Sequence, residues 1–405
     1  MTLEFEKLTQ DLEKMAAGTV RRQAQLQQMV AEYRQTLDQY AADWEMIETA
    51  LVAAQKRSDP KFYRSARPFS QNEKMNTAVS TPPPPAAATI IATDGSQIMP
   101  DRHAAYLYYL INVGGIIYYH GSGIQPDVFS EPQIFYPGDT DAAIDDFNSS
   151  SGAVSIERDK AEIEMLAKKA VANRHGASPL LSIVDQRLLY WPIGSAGIAD
   201  NVAVSDWGEA MTAMHQAGSL LAGYIDRPGT SAVVTLLRSL TAIDEPDFDW
   251  KSLGMRKATH GVTDTDIFKT ILTPGQRSAV FTYISDPNHS FAAQDPANEV
   301  SFFYLNPGAS GSQIARVDIP RWVAENPDDV AAVHALIISQ CRVMGDYPYV
   351  LARADEMAVV GRQDAAELNF MLDVIMQRHG ISAHITAKQG SKELARGGRT
   401  RHEGL

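Results

Sequence analysis

Two short apolar runs in this chain end on an acid: "ATIIATDG" turns polar at Asp94, and "PLLSIVD" stops at Asp185. A carboxylate at the carboxyl end of a strand projects into the crevice where open α/β sheets bind ligands, instead of into the core. If the two strands are neighbours, about 4.8 Å apart, the pair can share metal ions that a two-metal site holds roughly 3.5 to 4 Å from each other. Asp94 alone also fits a plain turn, because Asp before Gly favours one. Asp185 does not, since "VDQRLLYW" contains no glycine. Oxygen ligands of this kind suit hard cations such as Mg²⁺ and Mn²⁺.

The elements that must position these acids can be read from periodicity. "ATIIATDG" reads as a first strand, "AAYLYYLINVGG" as a second and "IIYYHGSG" as a third, with the glycines marking the tight connections of an antiparallel meander. From Ser155 to about Arg174 the period changes, and Ile163, Leu166, Ala167 and Ala170 fall on one helical face. "PLLSIVD" supplies the next strand, and a further helix and strand are expected at "EAMTAMHQAGSLLAGYI" and "TSAVVTLL". Three meandering strands followed by helix, strand, helix, strand is the order of a ribonuclease H-like α/β fold. In that fold a mixed sheet is flanked by helices, and the first strand lies beside the fourth and parallel to it.

Ahead of this region, residues 1 to about 57 are poor in Gly and Pro. Leu26, Val30, Tyr33, Leu37, Tyr40, Trp44, Ile47 and Leu51 follow the three-four spacing of a helical packing seam. An earlier seam of Phe5, Leu8, Leu12 and Met15 is out of phase with it across Gly18, which predicts two helical pieces or one with a break. The seam can pack on its own domain or against a second subunit. Residues 58 to 88, rich in Ser, Asn and Pro and ending in "TPPPPAAA", are expected to form an extended, semi-rigid linker. The compact domain then runs from 89 to 405.

Composition limits the function classes. With 405 residues, 44% hydrophobic, the chain can bury a large core. Its longest apolar stretch is interrupted by Asn112 and the Gly114-Gly115 pair, so no membrane span is expected. The polar start and the single cysteine, Cys341, fit a reducing cytoplasm and exclude an internal disulfide or a CxxC zinc site. A net charge of -13 argues against a surface that binds nucleic acid everywhere, but leaves room for a local basic groove. One candidate is the tail, where Lys388, Lys392, Arg396, Arg399 and Arg401 stand against the single acid Glu393; it reads equally as a phosphate contact or as a solvated, flexible tail. There is no GxxxxGK[ST], HExxH or GxSxG, so ATP hydrolysis would have to come from a partner.

Six segments, "IIATDGSQIMPDRH", "LLSIVDQRLLYW", "LAGYIDRPGTSAVVTLLR", "DTDIF", "IARVDIPRWVA" and "YPYVLARADEMAVV", resemble in order and spacing the NurA family of DNA-end-processing nucleases. The resemblance implies a Mn²⁺- or Mg²⁺-dependent deoxyribonuclease, with 5'-to-3' exonuclease action and some single-strand endonuclease action. It also implies a homodimer that works with a hexameric HerA-type ATPase translocase in double-strand break resection. Its metal ligands carry over to Asp94, Asp185 and Glu162, the last preceded by Arg158 in "RDKAE". Asp355 stands where similar proteins often have histidine; either side chain can bind a divalent metal. This departure keeps a second reading open, a non-catalytic subunit that binds DNA ends or the translocase.

Glu157 and Glu164 are weaker ligand candidates, better explained as solvated helix charges. Tyr224 and Arg227 in "GYIDRP" and Arg316 in "IARVDIP" are candidate contacts to the DNA backbone. Against these stand a packing role for Tyr224 and an ion pair of Arg316 with Asp318. His103 and His120 read as surface or packing histidines.

Overall fold

The computed structural model describes residues 8–101, 106–137, 151–190, 198–255, 257–308 and 313–381. In chain order the elements are α1 (Thr9–Gln39), α2 (Trp44–Arg57), β1 (Ser65–Pro68), β2 (Ala78–Val79), β3 (Ala88–Ile98), β4 (Tyr109–His120), β5 (Asp127–Phe135) and α3 (Ser151–Ala172). There follow β6 (Leu180–Val184), α4 (Ile198–Gln216), β7 (Ser219–Ile225), α5 (Ala232–Ala242), α6 (Asp264–Phe268), β8 (Arg277–Ser278), β9 (Phe281–Ile284) and α7 (Asp286–Gln294). The chain closes with β10 (Val300–Leu305), β11 (Ala315–Pro320), α8 (Arg321–Ala324), α9 (Pro327–Met344), α10 (Tyr349–Ala358) and α11 (Arg362–Arg378). These elements fall into two units. One comprises residues 1–86, 185–190 and 220–349; the other comprises 87–184, 191–219 and 350–405.

The first unit is built on antiparallel pairing of β1 with β9, β9 with β10, β10 with β11, and β11 with β7. Its core takes in the N-terminal seam. Tyr33, Leu37, Ile47 and Leu51 are buried with Val233, Leu237, Phe268, Phe281 and Phe302, and Leu26, Val30, Tyr40 and Trp44 pack partly against them. From Leu26 onward the seam therefore serves its own unit.

Three expectations about this unit need correction. α1 runs unbroken through Gly18, flanked by the helix formers Met15, Ala16 and Ala17, and the chain breaks instead between Gln39 and Trp44. An isolated glycine in an exposed helix costs only about 1 kcal/mol, too little to interrupt a long helix. Residues 58–86 are extended but are not a free linker: β1 pairs with β9, β2 pairs with β8, and Met75 is fully buried. "TSAVVTLL" belongs to helix α5, not to a strand. Apolar on nearly every face, α5 is buried from Ala232 to Leu237, and periodicity does not separate such a helix from a buried strand. Its first turn is held by Asp264, whose Oδ1 accepts from the Val234 N–H at 2.8 Å.

In the second unit β6, β3, β4 and β5 form a mixed sheet. β3 pairs antiparallel with β4 along its whole length, β4 pairs antiparallel with β5, and β6 lies parallel to β3 in the register Thr89–Leu180 to Thr93–Val184. The meander with a parallel fourth strand beside the first is as the sequence led us to expect. α3 packs on it through buried Ile163, Leu166, Ala167 and Ala170.

The meander is drawn differently from its glycines, however. The two segments read as second and third strands are one strand, β4, which passes straight through Gly114 and Gly115. The turn comes later, at Gly121 and Gly123, where φ is 74° and 71°. What the pair provides is close approach. A Cβ on Gly114 would lie 2.1 Å from the Ala358 nitrogen, and one on Gly115 would lie 2.4 Å from the Phe129 ring.

Candidate metal-binding site

Asp94 follows Thr93, and Asp185 follows Val184, the last couple of the β3–β6 ladder. β3 keeps its pairing with β4 past that point, so its side chains continue to alternate between faces. Asp94 and Ser96 share the face turned toward α10. Thr93 and Gly95 share the face turned toward α3: the Thr93 hydroxyl donates to the Glu162 carbonyl at 3.2 Å. Gly95 leaves the space that a side chain would fill. A Cβ there would meet Arg158 Cγ at 2.8 Å and Glu162 Oε2 at 3.5 Å. Lacking that Cβ, β3 lets the Arg158 and Glu162 side chains come down close to its backbone.

On the other face, the Asp355 carboxyl is a near neighbour of Asp94. Burial is the main cause that raises the Asp94 pKa, and the Asp355 carboxyl adds to it. The Gly95 N–H, donating to Asp94 Oδ1 at 2.8 Å, and the Arg158 guanidinium pull the other way. Glu162 is 4% exposed. Arg158 pairs with Asp159 at 2.6 Å. Burial disfavours its charge, but Asp159, Glu162 and Asp94 outweigh that and hold the guanidinium ionised.

Of the four acids singled out in the sequence, Asp94, Glu162 and Asp355 thus lie in one unit. Asp185 belongs to the other unit, where its charge is felt at Tyr224. Among the described residues no three acidic, histidine or cysteine side chains already form a cation cage. The donor chemistry nevertheless fits a hard divalent cation. Two neighbouring carboxylates repel when both are ionised, and a cation between them relieves that repulsion. Glu162, buried beside Arg158, supplies further oxygen donors of the kind such ions prefer.

Glu157 and Glu164 are exposed on α3. Glu164 lies near Lys160, which also pairs with Asp206 at 2.6 Å, so this face is a solvated charge network.

Two expected DNA contacts are corrected by burial. Tyr224 is fully buried and meets the Tyr347 ring edge-on at 5.6 Å. Arg316, 3% exposed, donates from Nε to Asp318 Oδ1 at 2.6 Å and stacks 3.9 Å from the Phe302 ring. Neither can reach a phosphate without unfolding its surroundings. Arg227 is exposed and remains available. His120 is half-buried at the end of β4, whereas His103 and the tail cations Lys388, Lys392, Arg396, Arg399 and Arg401 lie outside the described residues.

Sequence reading missed Ser96, Asn112 and Gly114, which hold α10 against the sheet. Asn112 did leave a signal. It is an amide, 4% exposed, in the middle of an otherwise apolar strand, and such a group is tolerated only with hydrogen-bond partners.

Residues 88–360 match the family described as NurA domain, more than half of the chain, and the protein belongs to that family. No curated protein matches the chain. Among solved structures, one described as the crystal structure of human ENDOV aligns over 67% of this chain and 82% of that one, at 12% identity and a TM-score of 0.32. A likeness that weak carries no argument. Among the described residues no helix is long and apolar enough to cross a membrane.

Proposed function

We propose that the protein is a metal-dependent deoxyribonuclease that hydrolyses phosphodiester bonds at DNA ends, 5' to 3', and works as a homodimer with a HerA-type translocase in resection. Family membership supports the nuclease class. The observation that carries the site is the closeness of the Asp355 carboxyl to Asp94, which lies within β3, the strand that also receives Glu162. Asp94, Glu162 and Asp355 are the residues of this unit that would hold a cation.

When bound, one or two Mn²⁺ or Mg²⁺ ions would activate a water and stabilise the leaving 3'-oxygen. The chain's own residues do the rest. Gly95 fixes the Asp94 carboxylate through its N–H and keeps the strand open to α3. Arg158 keeps a positive charge beside Asp94 and Glu162, so their mutual repulsion is moderated before any substrate arrives. Arg227 and the basic tail are the groups to meet the backbone phosphates.

The test is incubation of the purified protein with end-labelled linear DNA and Mn²⁺, each end blocked in turn, comparing wild type with Asp94→Ala. Metal-dependent shortening from the 5' end that Asp94→Ala abolishes is the expected result. Wild type that leaves DNA intact with and without the translocase would point to the alternative, a subunit that binds DNA ends or the translocase without cutting.

A further inference from the structure

We propose that Ser96 and Asn112 are positioning residues that clamp the carboxyl end of α10 and thereby set Asp355 against Asp94; this rests on the metal-site reading above. The last carbonyls of any helix lack partners within it. Here Asn112 Nδ2 donates to the Ala358 carbonyl at 2.8 Å and reaches that of Met357 at 3.4 Å, and the Ser96 hydroxyl donates to the same Ala358 carbonyl at 2.5 Å. The amide orientation is itself determined, because Asn112 Oδ1 accepts from the Ser130 hydroxyl at 2.9 Å.

The register explains why these residues act together. Ser96 and Asn112 are direct partners across β3 and β4, and the next pair on the same face is Asp94 with Gly114. One patch of two strands therefore carries the acid, both donors and the hole into which α10 settles. At Gly114 the helix backbone comes so near that an added Cβ would lie 2.2 Å from the Met357 carbonyl carbon. Asp355 precedes Ala358 by three residues, which puts it on the same side of the final turn. Fixing the Ala358 carbonyl thus fixes the height and rotation of Asp355. Asn112 comes from a strand that contributes no ligand, so its effect must pass through the helix.

Calorimetric titration with Mn²⁺, without DNA, tests this on wild type, Asn112→Ala, Asp355→Asn and the double variant. Loss of a residue that orients a ligand typically weakens metal binding about 10-fold or more. Asn112→Ala should do so, whereas adding it to Asp355→Asn should weaken binding no further. Ser96→Ala should behave like Asn112→Ala, and Ser96→Thr, which keeps the hydroxyl, should bind as wild type does. These serine variants also serve if Asn112→Ala fails to fold. Unchanged Mn²⁺ affinity in both alanine variants, or an equal extra loss in the Asp355→Asn background, would overturn the clamp while leaving the metal site standing. Absence of Mn²⁺ binding by wild type would remove the site reading and the clamp with it.

Discussion

The Asp355 carboxyl, 261 positions further along the chain, lies close enough to Asp94, within β3, to help raise its pKa. Such closeness stores repulsion that a cation relieves. Mn²⁺ should therefore raise the melting temperature in a concentration-dependent way, because it binds the folded state alone. Asp355→Asn should diminish this rise and reduce cleavage, and its metal-free form should melt no lower than wild type because one of the opposed acids is gone. Thermal scans with and without Mn²⁺ check all three; a full metal-induced rise in Asp355→Asn would take Asp355 out of the site.

The two glycines that admit α3 and α10 should differ in sensitivity. In Gly95→Ala the new methyl meets the Arg158 Cγ, a flexible side chain; in Gly114→Ala it meets helix backbone. Gly114→Ala should be the more damaging to stability, by about 1 to 3 kcal/mol, and should lose Mn²⁺ binding as α10 moves off. Equal stability of the two variants in urea would contradict the close packing of α10 on Gly114.

Arg316 and Asp318 are buried together, and Asp318 Oδ2 also accepts from the Leu188 N–H at 3.2 Å. Removing one partner leaves an uncompensated buried charge. Arg316→Ala should accordingly cost about 3 to 5 kcal/mol in a urea unfolding curve. Arg316→Lys, if it folds, should leave the salt dependence of DNA binding unaltered, because a buried side chain touches no phosphate. A flatter slope would restore Arg316 to the interface.

Asp264 is fully buried, and burial pushes its pKa from 3.8 to about 6, despite the Tyr304 hydroxyl and the α5 N–H groups that favour its ionised form. The folded protein thus keeps this proton over a range in which the unfolded chain has released it. Its contribution is complete below about pH 4, is lost as pH rises toward 6, and stays lost above that. A displacement of about two units corresponds to roughly 3 kcal/mol. Asp264→Asn cannot ionise, so its stability relative to wild type should grow by about that amount between pH 4 and pH 7. A difference that is flat with pH would show that Asp264 titrates normally.

Truncation after Thr386 removes the basic tail. The slope of log affinity for DNA against log salt should become shallower by about 0.9 for each phosphate that the shortened chain no longer neutralises. Binding isotherms at several salt concentrations decide this, and an unchanged slope would reduce the tail to solvated surface. Deletion of residues 1 to 57 has a different expected outcome, because Tyr33, Leu37, Ile47 and Leu51 are core residues. The protein should fail to fold, whatever its subunit state.

Much of this was legible in the chain because it is local. The apolar run that made β3, the helical face of α3 from Ile163 to Ala170, and acids placed just where apolar runs stop are all matters of nearest neighbours, and they survive in the sequence. Family resemblance, carried by six short segments in order, added Glu162 and Asp355. What the sequence left open was decided by burial and by contacts between distant segments. Gly114 and Gly115 looked like a turn because nothing local reveals that α10 and Phe129 press against them. "TSAVVTLL" looked like a strand because its short apolar run, buried from Ala232 to Leu237, does not by itself separate a helix from a buried strand. Arg316 looked like a phosphate contact until Phe302, Tyr283 and Asp318 closed around it. Asn112 gained its role only when the fold delivered the Ala358 carbonyl, 246 residues away, to its amide. Such groups are held by hydrogen bonds whose partners are fixed by tertiary structure, and one-dimensional spacing contains no record of them.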